Sequence, residues 1–151
     1  MNLKEIVNLN YKACFVITGG GADAISSLLS IPGASNFILD AQIPYSKKSL
    51  ELYLEQDVKS TCNTIISLEL AKIAKKKADF LNDEKKFNLG ISCTSALKTN
   101  RTREGNDRAH ISIITHKKIF YKYIQLKAQS RLEQEKETSN SILNFIKDTI
   151  A

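Results

Sequence analysis

Tryptophan is missing from this 151-residue chain, and cysteine, histidine, proline and methionine are scarce, at three, two, two and one. Each scarcity narrows what the chain can be. Cys14, Cys62 and Cys93 are odd in number and far apart, which argues against a disulfide framework and against the paired spacing of a zinc module. With only His110 and His116 available, a metal site would have to lean on carboxylates, so neither a metal nor another cofactor is expected. No apolar run approaches the ~20 residues of a membrane span. The start, Met1-Asn2-Leu3-Lys4-Glu5-Ile6-Val7, lacks the apolar core of a secretory signal. These absences predict a cytoplasmic protein with reduced thiols and no membrane partner.

What is present is ordinary globular material. Apolar residues make up 42% and charged residues 25%, enough for one domain spanning residues 1–151 with a core that needs no staple. The net charge is +6. Much of the excess is local, in Lys72, Lys75, Lys76 and Lys77 late in one predicted helix, then Lys85 and Lys86. Lysines there offset the helix dipole and keep a face solvated. No aromatic residues interleave with them, so nucleic acid is not the expected partner.

Hydrophobic spacing predicts the elements. Residues 2–9 read as a short helix and 12–18 as a buried strand. A helix follows over 21–30, with Ile25, Leu28 and Leu29 at i, i+3 and i+4. Residues 37–43 form a strand stopped by Pro44, and Ser46 caps a helix through Leu50 and Leu54. Ser60 is the expected cap of the next helix, which puts Cys62, Ile65, Ile66, Leu70 and Ile73 on one face and runs to about Ala78. Residues 87–94 read as a strand, 97–107 as a polar loop, and 109–115 with 119–126 as a hairpin around His116-Lys117-Lys118. A helix over about 132–150 turns Ile142, Leu143, Ile146 and Ile150 inward. The order α-β-α-β-α-α-β-β-β-α predicts an α/β/α sandwich of three layers with a mixed central sheet.

Glycine is infrequent too, yet three of its six copies are consecutive. Gly19-Gly20-Gly21 follows the apolar run ending in Thr18 and precedes a helical pattern, so it reads as strand, tight turn, helix. Backbone N–H groups at such a turn face outward unobstructed and favour a phosphate or carboxylate. The same glycines also serve positive φ angles and close helix packing. The spacing matches neither a dinucleotide fingerprint nor a Walker loop. Three further polar clusters fall at element ends: Ser35 in the Pro32-Gly33-Ala34-Ser35 turn, Pro44-Tyr45-Ser46, and the segment from Cys93-Thr94 to Arg108-Ala109-His110 carrying Arg101, Arg103 and Arg108. Guanidinium groups near one sheet edge suit an anion. They equally suit Glu104 and Asp107 in a solvated loop.

Together, Thr18-Gly19-Gly20, Ser30-Ile31-Pro32-Gly33-Ala34-Ser35, Tyr45-Ser46 and Ser60 resemble the CinA C-terminal domain family over nearly the whole chain. Its enzymatic members are nicotinamide-nucleotide amidases, which hydrolyse the amide of nicotinamide mononucleotide. The resemblance implies a CinA-like fold, with the nucleophile on Ser35, the tyrosine on Tyr45 and an arginine on Arg131. The departures are specific. Where the amidases have Glu-Ser-Cys before Thr-Gly-Gly, this chain has Phe15-Val16-Ile17. The base lysine five residues after the tyrosine is replaced by Leu50. The glycine-rich stretch corresponds to Ser92-Cys93-Thr94-Ser95-Ala96-Leu97.

The resulting expectation is a pocket for a nucleotide or other small anionic metabolite. Ser35 and Tyr45 are its catalytic candidates. Thr18, Gly19, Gly20, Gly21, Ser46, Thr94, Arg101, Arg108, His110 and Arg131 are its binding candidates. An active amidase with a rewired base (His110 or a loop lysine) and a non-catalytic interaction module are the alternatives. The resemblance also implies a homodimer or higher homo-oligomer, and the Tyr- and Ile-rich residues 119–126 are the candidate interface.

Overall fold

A computed structural model describes residues 2–150. Five strands form one mixed sheet in the order β2-β1-β3-β4-β5. They are β1 (Lys12–Thr18), β2 (Ile38–Gln42), β3 (Asn88–Ala96), β4 (Arg108–Ile114) and β5 (Ile119–Gln125). The first three are parallel; β4 and β5 join antiparallel. Among the described residues, five α-helices cover the sheet: α1 (Leu3–Val7), α2 (Ala22–Leu29), α3 (Lys47–Leu54), α4 (Thr64–Leu81) and α5 (Arg131–Ile150).

Strand alternation divides the core in two. Ala13, Phe15, Ile17, Leu89, Ile91, Cys93, Ile111 and Ile113 point to one face, where α1, α2 and α5 bury Ile6, Leu28, Ile142 and Ile146 against them. Cys14 and Val16 point to the other face, toward Leu50 of α3 and Ile66, Leu70 and Ala74 of α4. Each fully buried Leu, Ile or Phe contributes roughly 1.5–3 kcal/mol. The three-layer α/β/α sandwich with its mixed sheet is thus observed. No described helix is long and apolar enough to cross a membrane.

α4 lies directly on β3. A Cβ at Gly90 would come 2.2 Å from the Ala71 carbonyl oxygen and 2.3 Å from the Lys75 nitrogen. Ser67, Ala71, Ala74 and Ala78 form the small-residue face that permits this approach. The helix therefore sits differently from the sequence expectation. Its cap is Asn63, whose side chain accepts from the Ile66 N–H at 2.9 Å, and Ser60 lies outside. Cys62 precedes the helix, Ile65 is 70% exposed, and Ile73 is half-buried. Lys75, expected on a solvated face, is buried and paired with Asp79. Leu29 likewise points outward, while Ala24, Ile25 and Leu28 face the core. Ser46 caps α3 as expected, accepting from the Ser49 N–H at 3.1 Å.

Candidate functional site

The parallel strands end at one pole of the sheet, and a hollow of about 550 Å³ opens there. Thr18 and Gly19 enter it from β1, Thr94 to Leu97 from β3, Tyr45 from beyond β2, Thr61 and Cys62 from before α4. Thr99, Arg101 and Arg103 come from the loop after β3, and Arg131 from the first turn of α5. This is where ligands bind in open α/β sheets.

The glycine turn beside it is already filled. Gly19 and Gly21 hold φ of +85° and +116°, a region that other residues enter at a cost. The Gly20 N–H donates to the Ser95 hydroxyl at 2.5 Å. The Gly21 N–H donates to both carboxylate oxygens of Glu135, each at 2.9 Å, and the Asp23 N–H reaches one of them at 3.3 Å. Ser139 completes the set: its hydroxyl accepts from the Ala24 N–H and donates to Glu135. The start of α2 does hold an anion, and that anion is the protein's own. A Cβ at Gly19 would come 2.2 Å from the Ser95 carbonyl oxygen, so close backbone packing also needs this glycine. The amides of Gly20 and Gly21, expected to contact a ligand, are engaged within the fold, and only Gly19 of the three lines the hollow.

The arginines divide by what they touch. Arg131 donates to the Tyr45 hydroxyl at 3.1 Å and to the Lys98 carbonyl at 3.0 Å, standing at the rim. Arg101 is exposed at the same rim, and neither has a carboxylate partner among the described residues. Arg103 pairs with Asp107 and also donates to the Leu97 carbonyl. Arg108 departs from expectation. It donates to the Cys62 and Asn106 carbonyls, bracing the loop, and it does not line the hollow. Gln134, unremarked in the sequence, is buried and staples the same loop by accepting from the Lys98 N–H and donating to Asp107.

His110 is also elsewhere. It faces α4, its Nδ1 lies 2.6 Å from the Tyr121 hydroxyl, and its Nε2 is buried with no partner among the described residues. Burial, reinforced by the Arg108 charge, holds its pKa below the ordinary value. Thr94 donates to the Thr61 carbonyl at the hollow's wall. Cys62 lines the hollow, but burial pushes its thiol pKa up against the opposing influence of Arg108, its contact with Thr94, and Arg103. A raised thiol is a poor nucleophile.

Ser35 is at the wrong pole. It lies in the turn before β2, beside Asn36, whose carbonyl accepts from Lys12 at the start of β1. Tyr45 follows the far end of β2. A five-residue strand, about 16 Å long, separates the two residues, so they cannot act on one substrate. Ser46 is committed to its helix cap. Leu50, at the position of the lost lysine, is fully buried in the second core. Among the described residues, none lining the hollow is a lysine, histidine or carboxylate.

No protein-family model matches the sequence, and no curated protein matches it significantly. The fold, however, has clear counterparts among solved structures. The competence/damage inducible protein CihA from Agrobacterium tumefaciens superposes with a TM-score of 0.80 at 12% identity, over 97% of this chain and 89% of that one. A CinA-superfamily protein from Klebsiella pneumoniae gives 0.79 at 8% identity, over 99% and 98%. One from Escherichia coli gives 0.74 at 11% identity, over 93% and 81%. The chain has the fold of these CinA-superfamily proteins, as expected from the sequence.

Proposed function

We propose that this CinA-like domain binds a small anionic metabolite, a nucleotide or a related phosphate or carboxylate, in the hollow at the parallel-strand pole. One observation carries the reading: two guanidinium groups, Arg101 and Arg131, stand at the rim of an open polar hollow without a carboxylate partner among the described residues. Charge-assisted hydrogen bonds from such groups contribute roughly 1.5–3 kcal/mol each. Thr18, Thr94 and Tyr45 add hydroxyls around the space.

The same lining favours binding without hydrolysis. A serine or threonine nucleophile needs a neighbouring base, and the residues around the hollow offer none. With Ser35 at the opposite pole, an amidase reading has no nucleophile and base in one place. Isothermal titration with nicotinamide mononucleotide, nicotinic acid mononucleotide and inorganic phosphate tests the proposal. Saturable heat with at least one of them is expected, weakened about tenfold by Arg101→Ala or Arg131→Ala, with no ammonia released from nicotinamide mononucleotide. Absence of heat with all three overturns it.

A further inference from the structure

The hollow at the parallel-strand pole has a neighbour. A second hollow of about 460 Å³ is lined by the loop from Lys98 to Asp107, and Thr99, Arg101 and Arg103 belong to the walls of both. Among the described residues, all that line the second hollow are polar except Gly105. It suits hydroxyls and phosphate oxygens and offers no apolar bed for a base. The loop's shape is fixed at its feet. Gln134 of α5 accepts from the Lys98 N–H at 2.7 Å and donates to Asp107 at 2.9 Å. The Leu126 N–H donates to the Asp107 carbonyl at 2.9 Å, and Arg103 joins Asp107 to the Leu97 carbonyl across the base. Both carboxylate oxygens of Asp107 are thereby taken, one by Arg103 and one by Gln134. The side chains of Lys98, Asn100, Arg101 and Thr102 are exposed, with no partner among the described residues. A braced frame around unspent donors is what preorganised binding requires.

We infer that the site extends through both hollows and takes a diphosphate-linked ligand of the nucleoside diphosphate sugar class. The inference rests on the ligand reading above and sharpens it. Arg101, exposed on the shared wall, is the pivot. Two phosphates joined by one oxygen are close enough to share its planar fork. The nucleoside side of the ligand then lies in the first hollow, with Tyr45, Thr94 and Arg131. The sugar side lies in the second, where the Lys98 ammonium meets the outer phosphate and Asn100 and Thr102 meet hydroxyls. Charge agrees with this order. Arg131, Arg101 and Lys98 follow one another from the first hollow to the second, and none has a carboxylate partner among the described residues. A monophosphate would fill the first hollow and leave Lys98 idle.

Isothermal titration with matched series tests it. The probes are adenosine and uridine monophosphates, the corresponding diphosphates, ADP-glucose and UDP-glucose, with phosphate against pyrophosphate as the base-free pair. In at least one series the diphosphate is expected to bind roughly tenfold or more tighter than the monophosphate, the size of one added charge-assisted contact. The diphosphate sugar is expected to bind at least as tightly as the diphosphate. Lys98→Ala and Thr102→Val, both at exposed loop positions, are each expected to lower the ratio of diphosphate-sugar to monophosphate affinity severalfold. Arg101→Ala is expected to weaken every member. Should Lys98→Ala disturb the loop, as thermal melting would show, Lys98→Gln keeps the stem, loses the charge and gives the same reading. Monophosphates that bind as tightly as their diphosphate and diphosphate-sugar partners, or a ratio that survives both loop substitutions, would overturn this inference and leave the ligand reading standing. No heat with any of these probes, or with the mononucleotides above, removes the ligand reading and this inference with it.

Discussion

The glycine turn and the arginine rim both gather hydrogen-bond donors, and α5 reaches into both. Glu135 enters the first and Arg131 the second, four residues apart and so on one helix face. The turn is complete in itself, its N–H groups donating to a carboxylate 114 residues away in sequence. The rim is open, its two guanidinium groups still able to take a partner. Backbone donors at a helix start report that an anion is needed; they do not say whether the chain or the solvent supplies it.

The largest effect that can break this comparison is on stability. Gly19→Ala should lower the unfolding free energy by about 3 kcal/mol or more, combining a left-handed backbone with overpacking against Ser95. Denaturant unfolding measures it, and a neutral outcome would mean the turn is looser than described. Glu135→Ala comes next, at about 2 kcal/mol, because it strands the charge-assisted bonds of Gly21 and Asp23. If thermal melting shows no loss, Glu135 is an incidental neighbour and the turn reopens as a ligand site.

Arg101→Ala and Arg131→Ala should leave melting within about 0.5 kcal/mol of wild type, moving only the ligand titration. A rim arginine that governed stability would erase the contrast between the two features.

Smaller still is a pH effect beside the hollow, where His110 sits on β4 opposite Thr94. Its folded pKa lies below the unfolded value, so its neutral form stabilises the fold fully above about pH 6.5. That contribution is lost as pH falls from there toward the folded pKa. Melting temperature should drop between pH 7.5 and 5.5, and His110→Gln should flatten this slope. An unchanged slope in the variant would assign the effect to another group. Ser35→Ala should change neither melting nor titration, and any loss of binding would place Ser35 in contact with ligand after all.

Much of the fold was legible. The buried strand over 12–18, the alternation within 87–94 (where the strand itself starts at Asn88), the inward stripe of Ile142, Leu143 and Ile146, and the Ser46 cap all follow from short-range rules. The misreadings have local causes. Ser60 and Asn63 are both acceptable caps, and the sequence offers no measure of which one the packing of Ala71 on Gly90 permits. Ile65 fits an apolar stripe by type, but the small-residue face wins contact with the sheet. Glu135 carried no visible signal, because its partner turn lies more than a hundred residues upstream.

By itself the sequence determined what depends on neighbours a few residues away: strand alternation, helix stripes, caps, the turn at Gly19 to Gly21, and from their order a layered α/β domain. Tertiary structure alone decided which polar groups are spent and which are free. Hydrogen bonds between distant segments are set by strand order and helix placement, so Glu135 closing the turn, Arg108 bracing Cys62 and Ser35 standing at the far pole became visible only once the chain was folded.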